Sequence, residues 1–208
     1  MFNLKNLFTR ALLALMLVTG AGAAFAGPTY RVSFDTAPLE GQGLLDFTFL
    51  GLGSSATASA RLSNFYGDFG PGSMLEGDAS GDVALGVLLG NSGAFNAFTQ
   101  EVNLGGRFGF DVSFGDVGAF GDGTTLGVAL YTPDFGSYLL VEGNLASFEL
   151  LPETAVGVSV GGEVVRLAEV PEPATLASLA LGLALMGSTL RARREQADSR
   201  KQKGKSGA

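Results

Sequence analysis

The sequence contains no cysteine, no histidine and no tryptophan among its 208 residues. Without cysteine and histidine there is no disulfide framework, no thiolate or imidazole metal site, no catalytic cysteine and no Ser-His-Asp triad. Carboxylate, hydroxyl and backbone groups are the chemistry that remains. These absences exclude most of the common enzyme mechanisms.

Lysine is missing from the central part of the chain. Residues 27–170 contain four arginines against 17 aspartates and glutamates, a balance of −13, whereas the whole chain has a formal net charge of −7. A surface this acidic repels nucleic acid and anionic lipid. We therefore exclude nucleic acid as a partner and expect neutral or cationic partners, or divalent cations.

The first 26 residues have the order of a secretory signal peptide. Two cations precede the apolar run at 11–18, and the small residues Ala24 and Ala26 follow it with the spacing that signal peptidase cleaves. The sequence therefore predicts a signal helix at 1–26 and an exported mature protein.

A second apolar run lies near the other end, at 174–190. As a helix it is about 25 Å long, slightly less than the ~30 Å hydrocarbon core of a bilayer. The cluster Arg191, Arg193 and Arg194 would keep the following residues in the cytoplasm. We expect a precursor anchored in the inner membrane by a transmembrane helix over 174–190, with a disordered basic tail at 195–208.

The tripeptide Pro171, Glu172 and Pro173 lies directly before this run. The prolines disfavour a helix and keep the chain extended, hence open to a protease. Tripeptide, short apolar run and arginine cluster together resemble the PEP-CTERM sorting signal, here over 169–194. The resemblance implies recognition by an exosortase, a sorting enzyme of Gram-negative bacteria that make exopolysaccharide, with cleavage near the tripeptide. Residues 32–49 also resemble the opening strands of one group of PEP-CTERM proteins, which implies no activity.

Between the two signals, apolar and polar residues alternate with a period of two, which is typical of half-buried antiparallel strands. Gly-rich and Asp-rich turns separate the alternating segments. We expect an all-β ectodomain over 27–168, an antiparallel β-sandwich such as a jelly roll. The predicted strands are 30–35, 45–49, 57–65, 82–89, 98–104, 107–114, 125–131, 137–142, 145–150, 155–160 and 163–167.

Aromatic residues divide into core and surface candidates. Those on the apolar side of the alternating strands are assigned to the core: Phe34, Phe47, Phe49, Phe108, Phe110 and Phe114. Three tyrosines outside this pattern are candidates for stacking on sugar rings: Tyr66, Tyr131 and Tyr138.

Calcium is the one cofactor that the sequence suggests. Asp78, Ser80 and Asp82 have the spacing with which alternate oxygens surround this ion. An EF-hand would need Gly in place of Val83 and Glu in place of Leu89, so an ordinary solvated turn is the alternative.

Three functions fit these observations. The first is a non-enzymatic structural or adhesive component of the cell surface or of the extracellular, exopolysaccharide-containing matrix of a biofilm. The second is a non-catalytic carbohydrate-binding module for matrix polysaccharide, with or without calcium. The third is a carboxylate-dependent polysaccharide hydrolase, because two acidic residues can meet in space from any sequence spacing.

Overall fold

The computed structural model of the protein describes residues 27–170, which form two antiparallel β-sheets and no helix. The strands in this range are β1 (Thr29–Asp35), β2 (Gln42–Gly51), β3 (Ser59–Tyr66), β4 (Phe69–Glu76), β5 (Ala79–Asp82), β6 (Gly86–Gly90), β7 (Phe95–Asn103), β8 (Arg107–Phe114), β9 (Thr124–Tyr131), β10 (Ala146–Leu150), β11 (Gly157–Val160) and β12 (Val165–Val170). The predicted signal helix and sorting helix lie outside the described residues.

The chain passes repeatedly between the two sheets, although β5 and β6 both lie in one sheet and β9, β10 and β11 all lie in the other. Sheet A has the order β12-β1-β8-β3-β6-β5, and sheet B has the order β11-β10-β9-β2-β7-β4. Late strands lie between early ones, since β8 separates β1 from β3 and β7 separates β2 from β4. This nesting resembles that of a jelly roll, but β5 pairs with β6 in sheet A and not with β4. β12 adds a strand beyond β1, and β9, β10 and β11 add three beyond β2. The predicted all-β sandwich is confirmed.

The two sheets pack face to face through phenylalanine. The ring of Phe47 in sheet B meets the ring of Phe110 in sheet A edge-on, with centroids 4.9 Å apart. The six phenylalanines assigned to the core are 0–3% exposed, which confirms that prediction. Burying one such side chain contributes about 1.5–3 kcal/mol, so these rings are a main source of stability.

Three strand predictions differ from the structure. Segment 82–89 is a hairpin, in which β5 ends at Asp82 and β6 begins at Gly86. Segment 137–142 forms no strand and contributes one isolated bridge, between Tyr131 and Tyr138. The predicted strands leave out residues 69–76, which form β4. It is an edge strand with an irregular register between Phe69 and Ser73, where proline is tolerated.

Candidate functional site

The outer face of sheet B has a floor of small, buried side chains. β2 lies between β7 and β9, and the register places Asp46 opposite Thr99 on one side and opposite Ala129 on the other. All three point away from the core, yet their exposure is only 8%, 5% and 3%. Their low exposure places them at the bottom of a depression in this face, which Thr99 lines.

Asp46 is the ionisable group of this floor. Burial raises the pKa of its carboxyl group, the hydrogen bond from Thr99 Oγ1 to Asp46 Oδ1 (2.7 Å) opposes the shift, and the charge of Glu76 adds to it, so the net pKa is raised. No arginine or lysine lies in any strand of sheet B to compensate the charge. An ionised Asp46 therefore lowers the stability of the fold.

Asp46→Asn should stabilise the protein at neutral pH. The pKa of the Asp46 carboxyl group is higher in the folded than in the unfolded protein, so protonation favours the folded state. This contribution to stability is complete below the unfolded pKa of about 4, and it is lost as the pH rises through the pKa of the folded protein. The amide keeps an acceptor for Thr99 and carries no charge. We expect the melting temperature of the variant to exceed that of the parent at pH 7 and the two to converge below about pH 4. A constant difference at all pH values would contradict this account of Asp46.

Glu101 stands at the edge of the same depression. Its carboxylate accepts a hydrogen bond from the backbone N–H of Gly72, with 3.0 Å between Gly72 N and Glu101 Oε2. A Cβ atom at Gly72 would overlap this carboxylate, and one at Gly70 would lie 2.9 Å from the Glu101 Cβ. Gly70 and Gly72 therefore leave open the space that the Glu101 side chain occupies.

Three aromatic rings cluster at the end of β9. The centroid of Tyr131 lies 4.7 Å from that of Tyr138 and 5.5 Å from that of Phe135. Burial, a hydrogen bond with Tyr138 and the nearby charge of Asp46 raise the pKa of Tyr131 to about 12, so its hydroxyl stays protonated. Phe135 and Tyr138 remain 47% and 41% exposed. The cluster presents aromatic surface to solvent.

The loop that carries Phe135 is held by a network of local hydrogen bonds. Thr132 Oγ1 donates to Asp134 Oδ1 (2.6 Å) and accepts from the N–H of Ser137 (3.1 Å), and the N–H of Phe135 donates to the carbonyl of Thr132 (2.9 Å). Phe135 has a φ of 56°, a left-handed conformation that costs a non-glycine residue about 1–3 kcal/mol. The network holds the ring in place against this cost.

Phe135 and Glu101 belong to one groove on the outer face of sheet B, with a volume of about 240 Å³. We call it the sheet B groove, and its lining residues are Leu44, Gly72, Ser73, Met74, Thr99, Glu101 and Phe135. Its floor is Leu44 and Thr99, next to Asp46 in the register. The groove combines apolar surface with hydrogen-bond acceptors.

The charges of the sandwich are divided between its two sheets. All four arginines of residues 27–170 lie in strands of sheet A, at positions 31, 61, 107 and 166. Sheet B strands carry carboxylates alone, at positions 46, 76, 101 and 149. The sheet B groove is therefore a poor site for an anion.

Sheet A uses part of its positive charge internally. Arg31 makes two hydrogen bonds to Asp111, of 2.7 and 2.9 Å, and Asn64 donates a third (2.8 Å). Burial raises the pKa of Asp111, but these three bonds outweigh it and hold the pKa below its ordinary value. Because Asp111 neutralises Arg31, this pair supports the fold rather than offering a free cation.

Tyr66, one of the predicted stacking residues, lies on sheet A. Its ring covers Gly109, where a Cβ atom would overlap it. With Arg107, Arg166 and Glu163 it lines a second groove, of about 270 Å³. The charges there are mixed in sign, so this groove has no clear selectivity for one class of ligand.

The predicted calcium residues lie along β5 and not around one point. Asp78 precedes the strand and Asp82 ends it, so their Cα atoms are about 13 Å apart at the usual rise per residue. Their carboxylates lie at opposite ends of β6, since Asp78 Oδ2 accepts the N–H of Ser92 (3.4 Å) and Asp82 lies opposite Gly86. Two oxygens on one calcium ion lie within about 5 Å of each other. Asp82 Oδ1 instead accepts the N–H groups of Ala84 and Leu85 (both 2.8 Å), which closes the turn to β6. The structure does not bring Asp78, Ser80 and Asp82 together, and calcium binding stays a prediction.

The end of β12 leads directly into the predicted sorting segment, because the strand ends at Val170 and the tripeptide begins at Pro171. Residues 169–194 match the family described as the PEP-CTERM protein-sorting motif. The protein carries a PEP-CTERM sorting motif. Comparisons with curated proteins and with solved structures gave no match.

The PEP-CTERM motif makes this an exosortase-sorted extracellular protein, with a membrane-anchored precursor. Pro171, Glu172 and Pro173 fall inside the matched range, as does the arginine cluster at 191–194. These residues, the apolar run at 174–190 and the signal peptidase site lie outside the described part of the structure. Within 27–170 the structure has no helix of the length and hydropathy that a membrane crossing needs.

The sequence predicted part of the aromatic cluster beside the sheet B groove. It selected Tyr131 and Tyr138, which the structure brings into contact. It missed Asp46, Glu101 and Phe135. The alternation of β2 and β7 would have placed the two acids on outward faces, but no feature of the sequence shows that those strands are neighbours.

Proposed function

We propose that this protein is a non-catalytic structural or adhesive component of the cell surface or of the extracellular matrix of a biofilm. The PEP-CTERM motif carries the proposal, because it assigns the chain to the exosortase export route. In this role the β-sandwich is the exported working part. Its excess of carboxylates, −13 over residues 27–170, keeps it soluble outside the cell.

Carbohydrate binding is the second candidate, and it is the means by which an adhesive protein would hold a polysaccharide matrix. The observation that favours it is the exposed aromatic cluster of Tyr131, Phe135 and Tyr138 beside the acceptors of the sheet B groove. Aromatic faces pack against the C–H faces of sugars, and carboxylates accept their hydroxyl hydrogens. The spread of Asp78, Ser80 and Asp82 along β5 gives no support to a calcium-assisted form.

Fractionation of the producing bacterium tests the proposal. We expect the mature protein in the polysaccharide matrix, beginning near Gly27 and ending near Pro173, as mass spectrometry of its termini would show. Glu172→Ala should weaken exosortase processing, so that precursor accumulates in the membrane fraction. Glu195→Ala is the matched control, because it removes the same charge one residue beyond the motif and should leave processing unchanged.

Two results would contradict the proposal in different ways. Extracellular protein with an intact 191–208 tail would mean that the motif is not processed as expected. Correctly processed protein found free in the medium, with none in the matrix, would mean that the protein is exported but has no structural or adhesive role there.

A further inference from the structure

The shape of the sheet B groove fits a ring-shaped ligand that lies on the surface. Its volume of about 240 Å³ is slightly below the ~300–1,000 Å³ of pockets that enclose drug-sized molecules. Phe135 forms one wall, and Met74 on the edge strand β4 forms another. Both are about half exposed, at 47% and 52%. Such a groove holds one or two units of a longer chain and leaves the rest in solvent.

The loop around Phe135 is pre-organised for stacking of a ligand on the ring. The hydrogen bonds of Thr132 and Asp134 hold the loop before ligand arrives, so little conformational entropy is lost on binding. The ring also keeps its exposure while paying the strain of a left-handed backbone. Phe135 contacts Tyr131 on one side, with ring centroids 5.5 Å apart, and 47% of its surface remains in water. This exposed part of the ring is available to a ligand.

The polar groups of the groove select ligands that donate hydrogen bonds. Glu101 accepts one bond from Gly72 and keeps other lone pairs free for a ligand. Thr99 is already committed as donor to Asp46, so its oxygen also acts as an acceptor. No cation lies in any strand of sheet B, and therefore a phosphate, sulfate or uronate group would meet only like charge.

A neutral sugar satisfies all of these conditions at once. A pyranose ring has a flat C–H face for Phe135 and hydroxyl groups at its rim for Glu101. A cationic peptide would satisfy the carboxylate, but a single accessible carboxylate beside an apolar wall offers it little. The PEP-CTERM motif also places the protein on an export route, so a polymer outside the cell is accessible to it.

We propose that the sheet B groove binds a neutral polysaccharide, with one pyranose ring stacked on Phe135 and its hydroxyl groups donating hydrogen bonds to Glu101. This inference rests on the proposed adhesive function and specifies its site and its class of ligand. Gly72 acts as a positioning residue, because a larger side chain there would displace the Glu101 carboxylate.

Binding of defined polysaccharides to the exported protein tests the proposal. Affinity electrophoresis would use neutral glucans, mannans, galactans and xylans, with alginate as the anionic probe and polylysine as the cationic one. We expect retardation by at least one neutral polymer and none by alginate. Retardation by polylysine would reflect the net negative charge and should be unchanged by Phe135→Ala. Phe135→Ala should weaken binding about tenfold or more, equivalent to roughly 1.4 kcal/mol, whereas Phe135→Tyr should retain it. Glu101→Ala and Gly72→Ala should both weaken it.

Phe120→Ala is the matched control, because Phe120 is 90% exposed and does not line the groove. Each variant is first shown to melt as cooperatively as the parent.

Neutral polysaccharide binding that survives Phe135→Ala and Glu101→Ala would overturn this site and leave the adhesive function intact. Binding of alginate in place of neutral polymers, or polylysine binding that Phe135→Ala weakens, would overturn the ligand class. Binding of no polysaccharide, together with absence from the matrix, would overturn both proposals, and release of reducing ends would show a hydrolase.

Discussion

Replacing Phe110 by alanine is expected to lower the free energy of unfolding by about 3–5 kcal/mol. Phe110 is 1% exposed, and its ring contacts those of Phe47 (4.9 Å) and Phe65 (6.0 Å), which belong to different sheets. The substitution removes the ring at the point where the sheets meet and leaves a cavity that the strands cannot close. Since domains of this size have about 5–15 kcal/mol of stability, the loss is a large fraction of it.

Chemical denaturation of the exported protein measures this effect. Phe120→Ala makes the same chemical change at a residue that is 90% exposed, and it should alter the free energy by no more than about 0.5 kcal/mol. If the Phe110→Ala protein were as stable as the Phe120→Ala protein, the assignment of Phe110 to the core between the sheets would be wrong.

The inner faces of the sandwich were predictable because the side chains of a regular strand alternate between its two faces. The apolar positions of such a strand therefore mark the face that lies on the core. Phe108, Phe110 and Phe114 alternate with polar residues through all of β8, and all three are buried as expected. The same regularity made β2 and β9 predictable. Local pattern is sufficient here because one face of each strand lies on the core and the other faces outward.

Irregular strands were not predictable from pattern. β4 contains three residues with strong turn preferences, Gly70, Pro71 and Gly72, which lie in its irregular stretch. It forms a strand because β7 pairs with Phe69 on one side of this stretch and with 73–76 on the other. Segment 137–142 shows the opposite case. It has the apolar composition of a strand, but Leu140 adopts a φ of 69°, which breaks the extended conformation. Tertiary contacts override local preference in both segments.

The candidate site was only partly predictable because its residues are distant in the chain. Tyr131 and Tyr138 are seven residues apart and meet through a local bridge. Asp46 and Thr99 meet because β2 pairs with β7, and Glu101 is held by Gly72 because β7 pairs with β4. Such contacts depend on strand order, and twelve strands allow many orders that bury the same faces.

Replacing Gly67 by alanine is expected to lower the free energy of unfolding by about as much as Phe110→Ala does. Gly67 lies in the turn between β3 and β4 with a φ of 139°, a conformation that L side chains rarely adopt and that costs about 1–3 kcal/mol. A Cβ atom there would also overlap the ring of Phe108. That ring cannot move easily, because it is 1% exposed and packs on Phe34 and Phe69, each 5.7 Å away. Overpacking adds about 1–3 kcal/mol to the strain.

Gly41→Ala separates the two contributions. Gly41 has a φ of 88°, and a Cβ atom there would meet nothing within 4 Å, so this variant should show the backbone cost alone. Combining Gly67→Ala with Phe108→Leu should reduce the cost of the glycine substitution toward that of Gly41→Ala, because the smaller side chain removes the overlap. Coupling between touching residues is usually about 0.5–3 kcal/mol, which denaturation curves resolve. If Gly67→Ala costs the same in both backgrounds, the Phe108 ring does not limit this turn, and backbone conformation alone makes glycine necessary there.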